Sequence, residues 1–258
     1  MIVAITRAVS PGFDNCELSY LPRVEIDLTL ARAQHRQYVS SLCALGCHVV
    51  SLPEEPEYPD AVFVEDVAIV LDELAVLARP GAASRRGEVA SVGEALAGYR
   101  RLYPIHEPGT LEGGDVLRVG KVIYVGLSGR TNRSGVEQLA DGVAEHGYSV
   151  VPIEVHGCLH LKSAVSQAAD GVLLINPAWV SPAEFKSFEL IEVDPAESFA
   201  ANGLLVGKRL IFPSSFPRTR AILDAHGIAV TAIDVSELQK AEGGVTCCSL
   251  ILEVSASQ

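Results

Sequence analysis

The chain has 258 residues, of which 48% are hydrophobic and 20% charged, an ordinary composition for a globular protein with a substantial core. Its formal net charge of −12 disfavours a nucleic acid or an anionic membrane surface as a partner. The apolar run at the N-terminus is too short for a secretion signal, and no stretch approaches the ~20 apolar residues of a membrane helix.

One pattern of elements recurs along the chain: a two-strand hairpin, a helix of 3.6-residue periodicity, a glycine that ends the helix, and a further strand. The first copy is the loosest, with a single strand before its helix, and the hairpin of the second copy turns at Asp72-Glu73. The copies occupy residues 2–53, 67–105, 120–153, 159–175 with the PAEFKS helix and FELIEV strand that follow, and 207–235.

Repeats of about 35 to 50 residues are typical of radial or solenoid architectures. Because the copies are unequal, we expect a closed ring of five αβ units rather than a stacked solenoid, with an open α/β sheet as the alternative. No linker separates the copies, so residues 1–258 are interpreted as one domain. In such a ring, loops from several units meet at one end of a central channel, where polar residues indicate chemistry.

Six cysteines stand at positions 16, 43, 47, 158, 247 and 248, without a CxxC pair or a paired metal spacing. This usage predicts a cytoplasmic protein in which a reactive thiol stays reduced. Cys43 and Cys47 are expected to pack in the core from within the first helix. Adjacent cysteines on a trans peptide do not reach disulfide geometry. Cys247 and Cys248, which follow Gly243-Gly244, are therefore either small core residues or a pair of which one is held on a turn to react.

Two loops place carboxylates in unusual surroundings. In YPDAVFVEDVAIV (58–70), Asp60, Glu65 and Asp66 interrupt an apolar run. This pattern indicates either a solvated edge or a carboxylate cluster for a planar cation such as a guanidinium, which matches a carboxylate by paired hydrogen bonds. In TLEGGDVLRVG (110–120), Glu112 precedes two glycines that permit close backbone approach or positive φ, although EGGD can also be a plain turn.

A third loop, GCLHLKSA (157–164), carries His160 between two leucines. On strand alternation the imidazole and the leucines face opposite ways, and the histidine is either a structural hydrogen bonder or a catalyst. A cysteine, a histidine and an acid from separate loops form the general pattern of a nucleophile, an acid/base and the group that orients it.

Taken in order, FVEDVAIV, RPGAASRRGE, TLEGGDVL, YVGLSGRTNRSG, LHLKS and EGGVTCCSL resemble the dimethylarginine dimethylaminohydrolase family. The resemblance runs from ITR near the N-terminus to the terminal TCCSL and implies the pentein fold, an α/β five-bladed αβ-propeller of ββαβ-type pseudo-repeats around a central channel. It also implies a dimethylargininase, a C–N hydrolase of linear amidines. Such an enzyme converts Nω,Nω-dimethyl-L-arginine and Nω-monomethyl-L-arginine to L-citrulline through a covalent cysteine thiouronium intermediate, releasing dimethylamine or methylamine.

The resemblance also implies the roles of individual residues. Cys247 is the nucleophile, with Cys248 packed behind it, His160 the general acid/base, and Glu112 the acid that orients the histidine. Residues 14–27 are expected to form a mobile flap over the site. The implied substrate-binding set is Asp66 for the guanidinium, Glu65 beside it near the histidine, Asp60 near the amino-acid end, Arg85 and Arg130 for the α-carboxylate, and the main chain of Leu18 and Ala241 for the α-ammonium.

Two alternatives stay open. An arginine deiminase or another N-substituted guanidine hydrolase would use similar residues, although deiminases carry an extra helical insertion for which this chain has no room. The alternative of another class is a ligand-binding or redox-sensor protein that uses Cys247 and Cys248. No metal or organic cofactor is expected, the partner is a small cationic amino acid, and the oligomeric state is open between monomer and homodimer.

Overall fold

The computed structural model of the protein describes residues 1–254. The strands are β1 Ile2–Arg7, β2 His48–Leu52, β3 Ala68–Val70, β4 Leu74–Leu77, β5 Arg101–Pro104, β6 Val116–Val119, β7 Val122–Leu127, β8 Ser149–Glu154, β9 Val165–Ala169, β10 Val172–Ile175, β11 Glu189–Glu192, β12 Leu204–Val206, β13 Arg209–Pro213, β14 Val230–Ile233 and β15 Leu250–Glu253. The helices are α1 Leu28–Ala44, α2 Val89–Ala97, α3 Arg133–Val143, α4 Leu161–Ala164, α5 Pro217–Ala225 and α6 Ser236–Gln239.

Within this part of the chain the strands form five separate three-stranded sheets. In each sheet the middle strand pairs antiparallel with one neighbour and parallel with the other. A tight turn can join an antiparallel pair, whereas a parallel pair needs a longer crossover, so each sheet except β15-β1-β2 consists of a hairpin followed by a crossover strand. The sheets are β15-β1-β2, β3-β4-β5, β6-β7-β8, β9-β10-β11 and β12-β13-β14.

The first sheet joins the two ends of the described chain. β1 pairs antiparallel with β15, so that Ile2 lies opposite Glu253 and Ile5 opposite Leu250. The C-terminal strand thereby supplies the hairpin partner that the first repeat lacks in the sequence. With this sheet included, the structure confirms the predicted five-bladed αβ-propeller.

Local signals fix most of the crossover helices where the sequence predicts them. The Asn132 side chain accepts a hydrogen bond of 2.9 Å from the Gly135 N–H and so caps the start of α3. Pro217 occupies the first turn of α5, where its missing N–H costs nothing. Gly147 and Gly227 both have φ of +75°, the left-handed conformation that ends a helical segment.

Two local expectations were wrong. The PAEFKS segment forms only a short 3₁₀ turn, Pro182–Phe185, so the crossover of its sheet contains no α-helix. Cys43 is exposed on α1, contrary to expectation, whereas Cys47 packs in the core as expected but lies beyond the end of that helix at Ala44. The four-residue spacing of the two cysteines therefore does not mark a buried helix face.

The apolar core is divided among the contacts between neighbouring blades. One cluster, for example, packs Leu74 of β4 and Ile123 of β7 against Leu139 of α3. Burial of each such side chain contributes roughly 1.5–3 kcal/mol, so the ring is held by many similar contacts rather than by a single centre. The innermost strands β3, β6, β9, β12 and β15 surround a channel of about 660 Å³. Among the described residues, no helix combines the length and the apolar character needed to span a membrane.

Candidate active site

A small cavity at one end of the channel collects side chains from the loops of several blades. Its volume is about 20 Å³. A cavity needs about 10–15 Å³ of this kind to hold one water molecule, so a ligand the size of an amino acid requires the walls to move. Eight of the ten predicted site residues line this cavity, and Leu18 and Glu65 do not. The lining residues are Glu17, Asp60, Phe63, Asp66, Arg85, Glu112, Arg130, Leu159, His160, Ala241, Glu242, Gly243 and Cys247.

The two adjacent cysteines lie in different surroundings. Cys247 is half-buried, and its Sγ accepts a hydrogen bond of 3.3 Å from the Gly244 N–H. Its carbonyl accepts a hydrogen bond of 3.1 Å from the Glu65 N–H, which ties the cysteine loop to the carboxylate loop. Cys248 is fully buried in a hydrophobic cluster. The structure thus directs one sulfur into the cavity and packs the other behind it, as predicted.

The two glycines before the cysteines lie against neighbouring side chains that leave no room for a larger residue. A side chain at Gly243 would collide with the Phe63 ring, and one at Gly244 would collide with the Asn202 amide. Neither glycine has positive φ; the residue with a left-handed backbone in this loop is Glu242, at φ 59°.

The Cys247 thiol is neutral in these surroundings. Burial raises its pKa to about 12, and the negative charges of Asp66 and Glu65 act in the same direction. The Gly244 N–H and the Lys162 ammonium lower the pKa of the thiol, but by less than burial and the two carboxylates raise it. Because a nearby positive charge favours the thiolate, a cation placed between the sulfur and these carboxylates would lower the pKa of the thiol.

His160 and Glu112 form a buried ion pair. Their Nε2 and Oε2 atoms are 2.7 Å apart, while His160 Nδ1 faces Asp66 Oδ1 at 3.8 Å. Burial opposes the charged imidazole, but Asp66, the hydrogen-bonded Glu112 and Asp115 outweigh it and raise the pKa of His160 to about 9. Burial also opposes the charge on Glu112, but the hydrogen bond and charge of His160 lower its pKa to about 2. The pair is therefore imidazolium and carboxylate at neutral pH.

His160 is positioned by a helix start and not by a strand. It is the N-cap residue of α4, and both His160 and Leu159 line the cavity. The expectation that strand alternation separates the imidazole from both leucines is therefore wrong. Asp115 holds this turn, because its buried carboxylate accepts 2.9 Å and 2.6 Å hydrogen bonds from the Leu161 N–H and the Ser128 hydroxyl.

The second glycine of the EGGD motif makes room for the imidazole. A Cβ atom at Gly114 would lie 2.5 Å from His160 Nδ1 and 2.7 Å from Asp66 Oδ1. Since real Cβ atoms do not approach so closely, only glycine fits there with His160 in this position.

Arg85 is committed to an internal network. It is 5% exposed and donates to Asp66 Oδ2 at 2.6 Å and to Glu88 at 2.8 Å. Its Nη2 also donates to the carbonyl oxygens of Asp60 and Phe63, both at 3.2 Å. One carboxylate oxygen of Asp66 is thereby occupied. The other, Oδ1, is buried and accepts no hydrogen bond from any described residue.

Glu65 points away from the cavity. Its carboxylate lies 2.5 Å from Lys162 Nζ and accepts a 2.6 Å hydrogen bond from the Thr246 hydroxyl. All three residues line the channel on the other side. Glu65 and Lys162 thus form part of the wall between the channel and the cavity.

A segment without regular structure, residues 16–27, crosses the outer face of the cavity. The Glu17 N–H donates to Asp60 Oδ2 at 3.1 Å, and Arg130 donates to the Ser19 hydroxyl at 3.1 Å. Among the described residues, the carbonyl oxygens of Leu18 and Ala241 accept no hydrogen bond. Two acidic lining residues, Glu17 and Glu242, were missed by the sequence analysis, although each directly adjoins a predicted position.

Asp66, Glu112 and His160 are the described residues that could hold a metal ion. One ligand atom from each lies within 4.8 Å of the others. A metal ion would have to displace the proton of the His160 imidazolium, whose pKa of about 9 opposes metal binding at neutral pH.

The sequence is similar to those of known proteins. A model of the family described as N,N dimethylarginine dimethylhydrolase, eukaryotic, matches residues 20–175. The chain is 40% identical over 251 residues to the N(G),N(G)-dimethylarginine dimethylaminohydrolase of Streptomyces coelicolor, an alignment that covers 96% of both proteins.

Solved structures agree with the sequence comparison. A mutant of the enzyme from Pseudomonas aeruginosa, complexed with citrulline, superposes with a TM-score of 0.93 and 34% identity over 96% of this chain and 98% of that chain. A histidine-to-glycine variant of a dimethylarginine dimethylaminohydrolase, an adduct with S-methyl-L-thiocitrulline, gives a TM-score of 0.92 and 34% identity over 98% and 100% of the two chains. The chain therefore belongs to the dimethylarginine dimethylaminohydrolase family.

Proposed function

We propose that the protein hydrolyses Nω,Nω-dimethyl-L-arginine and Nω-monomethyl-L-arginine to L-citrulline, with release of dimethylamine or methylamine. One observation carries the proposal: a half-buried thiol, a buried imidazolium–carboxylate pair and a carboxylate with an unpartnered oxygen meet in a single cavity. The citrulline and S-methyl-L-thiocitrulline present in the similar structures support this substrate class.

The substrate guanidinium binds at Asp66. The free Oδ1 of Asp66 is a buried acceptor, and an unsatisfied buried acceptor of this kind costs about 1–3 kcal/mol until a donor reaches it. A guanidinium N–H supplies that donor while Arg85 keeps Oδ2. The bound cation also offsets the charge of Asp66 that raises the pKa of Cys247, so substrate binding promotes formation of the thiolate.

The amino-acid end binds beneath the segment 16–27. Arg130 offers a guanidinium to the α-carboxylate, and the unused carbonyls of Leu18 and Ala241 accept hydrogen bonds from the α-ammonium, with Asp60 nearby. Arg85 contributes its charge from within its network. Glu65 acts indirectly, because its ion pair with Lys162 holds the wall behind Cys247 in place.

The first half-reaction forms a covalent intermediate. The Cys247 thiolate attacks the guanidinium carbon, which is held flat at Asp66, and the bond between that carbon and the dimethylated nitrogen breaks. The His160 imidazolium, oriented by Glu112, gives its proton to the departing dimethylamine. An S-alkylthiouronium on Cys247 remains, and His160 is left neutral.

The second half-reaction restores the enzyme. Neutral His160 removes a proton from water as the oxygen attacks the thiouronium carbon. The carbon–sulfur bond then breaks and the hydroxyl proton passes to solvent, which releases citrulline and the Cys247 thiolate. A positioned acid/base of this kind contributes roughly 10²–10⁴ to the rate.

Citrulline formation from three substrates tests the proposal. We expect turnover of asymmetric dimethylarginine and of monomethylarginine, and slower turnover of arginine. Preferred turnover of arginine would favour a deiminase, and absence of citrulline from all three would favour the non-enzymatic alternative.

The domain organisation, the cellular location and the oligomeric state are also inferred. We infer one catalytic domain over residues 1–258 and a cytoplasmic location, which is supported by six cysteines that all carry free thiols. A homodimer remains a prediction, which sedimentation of the purified protein decides.

A further inference from the structure

The Glu242 carboxylate is held by three successive backbone N–H groups of the segment that crosses the site. Ser19, Tyr20 and Leu21 donate to Glu242 Oε1 at 3.0, 2.5 and 2.6 Å, and Ser19 also donates to Oε2 at 3.1 Å. Consecutive N–H groups that converge in this way form a concave anion-binding nest. Here the anion is a side chain 221 or more positions away in the sequence.

Glu242 reaches this nest from an unfavourable backbone conformation. Its φ of 59° makes it the non-glycine residue with positive φ among residues 1–254. A glutamate in the left-handed region is disfavoured by contact of its Cβ with the backbone and persists when surrounding interactions compensate. The hydrogen bonds to the nest provide that compensation.

The position of Glu242 links the crossing segment to the nucleophile. The next residues in its loop are Gly243 and Gly244, and the Gly244 N–H donates to Cys247 Sγ at 3.3 Å. Ala241, immediately before it, carries one of the two carbonyls expected to accept from the α-ammonium, and Leu18, immediately before the nest, carries the other. A single carboxylate therefore holds together the two chain segments that present these carbonyls.

We propose that Glu242 is a positioning residue that fastens residues 17–23 over the bound substrate and thereby makes the enzyme selective for guanidines that carry a free amino-acid end. The selectivity rests on the proposed function, because the carbonyls of Leu18 and Ala241 are its α-ammonium acceptors. The contact between Glu242 and the crossing segment does not depend on the proposed function, and it can be measured without enzymatic turnover.

Limited trypsin digestion measures the fastening directly. Arg23 is exposed within the segment 16–27, two residues beyond the nest, and its guanidinium donates to the carbonyl oxygens of Asp14 and Cys16. A protease binds several residues on each side of the bond that it cleaves, so we expect cleavage after Arg23 only when the segment leaves the nest. We compare wild type with E242Q, which keeps the length but loses the charge, and with E242G, which removes the carboxylate and suits the left-handed backbone. E25Q is the matched control, because Glu25 is an exposed residue of the same segment.

Cleavage after Arg23 should be at least about tenfold faster in E242G than in wild type and intermediate in E242Q, since charge-assisted hydrogen bonds are stronger than neutral ones. E25Q should match wild type. Equal cleavage rates in E242G and wild type would overturn the fastening, whatever the enzyme is found to hydrolyse.

Kinetics with two substrates measure the selectivity. For monomethylarginine, KM should rise roughly tenfold in E242G with kcat within about threefold of wild type. For N-butyl-N′-methylguanidine, which lacks the amino-acid end, kcat/KM should change less than about threefold. Equal losses on both substrates would refute a role in selectivity. Absence of turnover in wild type as well would refute the proposed function while the digestion result still decides the fastening.

Discussion

Replacement of Glu112 by glutamine tests the ion pair at the centre of the proposed mechanism. His160 has a pKa of about 9 against an ordinary 6.5, a difference that corresponds to roughly 3 kcal/mol in favour of the imidazolium. A hydrogen bond to a charged group contributes about 1.5–3 kcal/mol, so loss of the Glu112 charge should lower the pKa of His160 by roughly 1–2, to about 7–8.

The pH dependence of kcat/KM reports this pKa, because it follows groups of the free enzyme. With a neutral thiol and an imidazolium at neutral pH, the enzyme must lose one proton to reach the reactive thiolate–imidazolium state. In the wild type kcat/KM should therefore rise with pH through a midpoint near 9 and level off above it. In E112Q the plateau should begin roughly 1–2 pH units lower, with a lower maximum because the imidazole is less well oriented.

The assay is citrulline formation at low dimethylarginine concentration between pH 5 and 10. E145Q is the control. The exposed Glu145 side chain pairs with Arg101 on the surface, so this substitution removes the same charge as E112Q but far from His160. A plateau at the same pH in E112Q and wild type would refute the assignment of the profile to the His160–Glu112 pair.

The same variant has a defined effect on stability. The raised pKa of His160 stabilises the fold fully below 6.5, and this contribution is lost as the pH rises to about 9. The lowered pKa of Glu112 stabilises the fold above 4.5, and this contribution is lost as the pH falls to about 2. The difference in unfolding free energy between wild type and E112Q should therefore be largest between these ordinary values, near pH 5–6.

Further substitutions test the remaining parts of the site. C247S should abolish citrulline formation while C248S retains most of it, because only the first sulfur reaches the cavity; the reverse pattern would overturn the nucleophile assignment. R85A should raise KM more than it lowers kcat and should also lose about 3–5 kcal/mol of stability, measured by urea unfolding, because two buried carboxylates lose their partner. An unchanged stability would contradict the buried network. G114A should lower kcat at least about a hundredfold by displacing the imidazole, whereas G98A, whose added methyl meets nothing within 4 Å, should leave activity intact. Equal activities of the two alanine variants would contradict the close packing at His160.

Much of the site could be predicted from the sequence because its residues sit in distinctive local strings. Cys247, His160 and Glu112 each lie in a motif whose neighbours constrain its backbone, and all three line the cavity. The partners of buried charges could not be predicted in this way. Glu65 and Asp66 are adjacent in one 3₁₀ turn, Val64–Val67, and a turn of this kind sends neighbouring side chains in different directions. Only the packing of the blades determines that one meets Lys162 and the other Arg85.

The hydrogen-bond partners of the Glu242 carboxylate could not be predicted from the sequence either. Its neighbours Ala241 and Gly243 drew attention to the loop, but nothing in the local sequence indicates that its carboxylate meets the N–H groups of residues 19–21. Contacts between segments more than 200 residues apart depend on how the ring closes, and hydrophobic periodicity carries no information about that distance.

The sequence by itself determined the order of most hairpins and crossover helices, since periodicity, caps and glycine stops act over a few residues. It also predicted eight of the side chains that the structure brings together in the cavity. The tertiary structure alone decided that β15 completes the first blade beside β1. It also decided how the buried carboxylates and cations pair, because burying a charge is favourable only beside a specific partner, and the folded ring selects that partner.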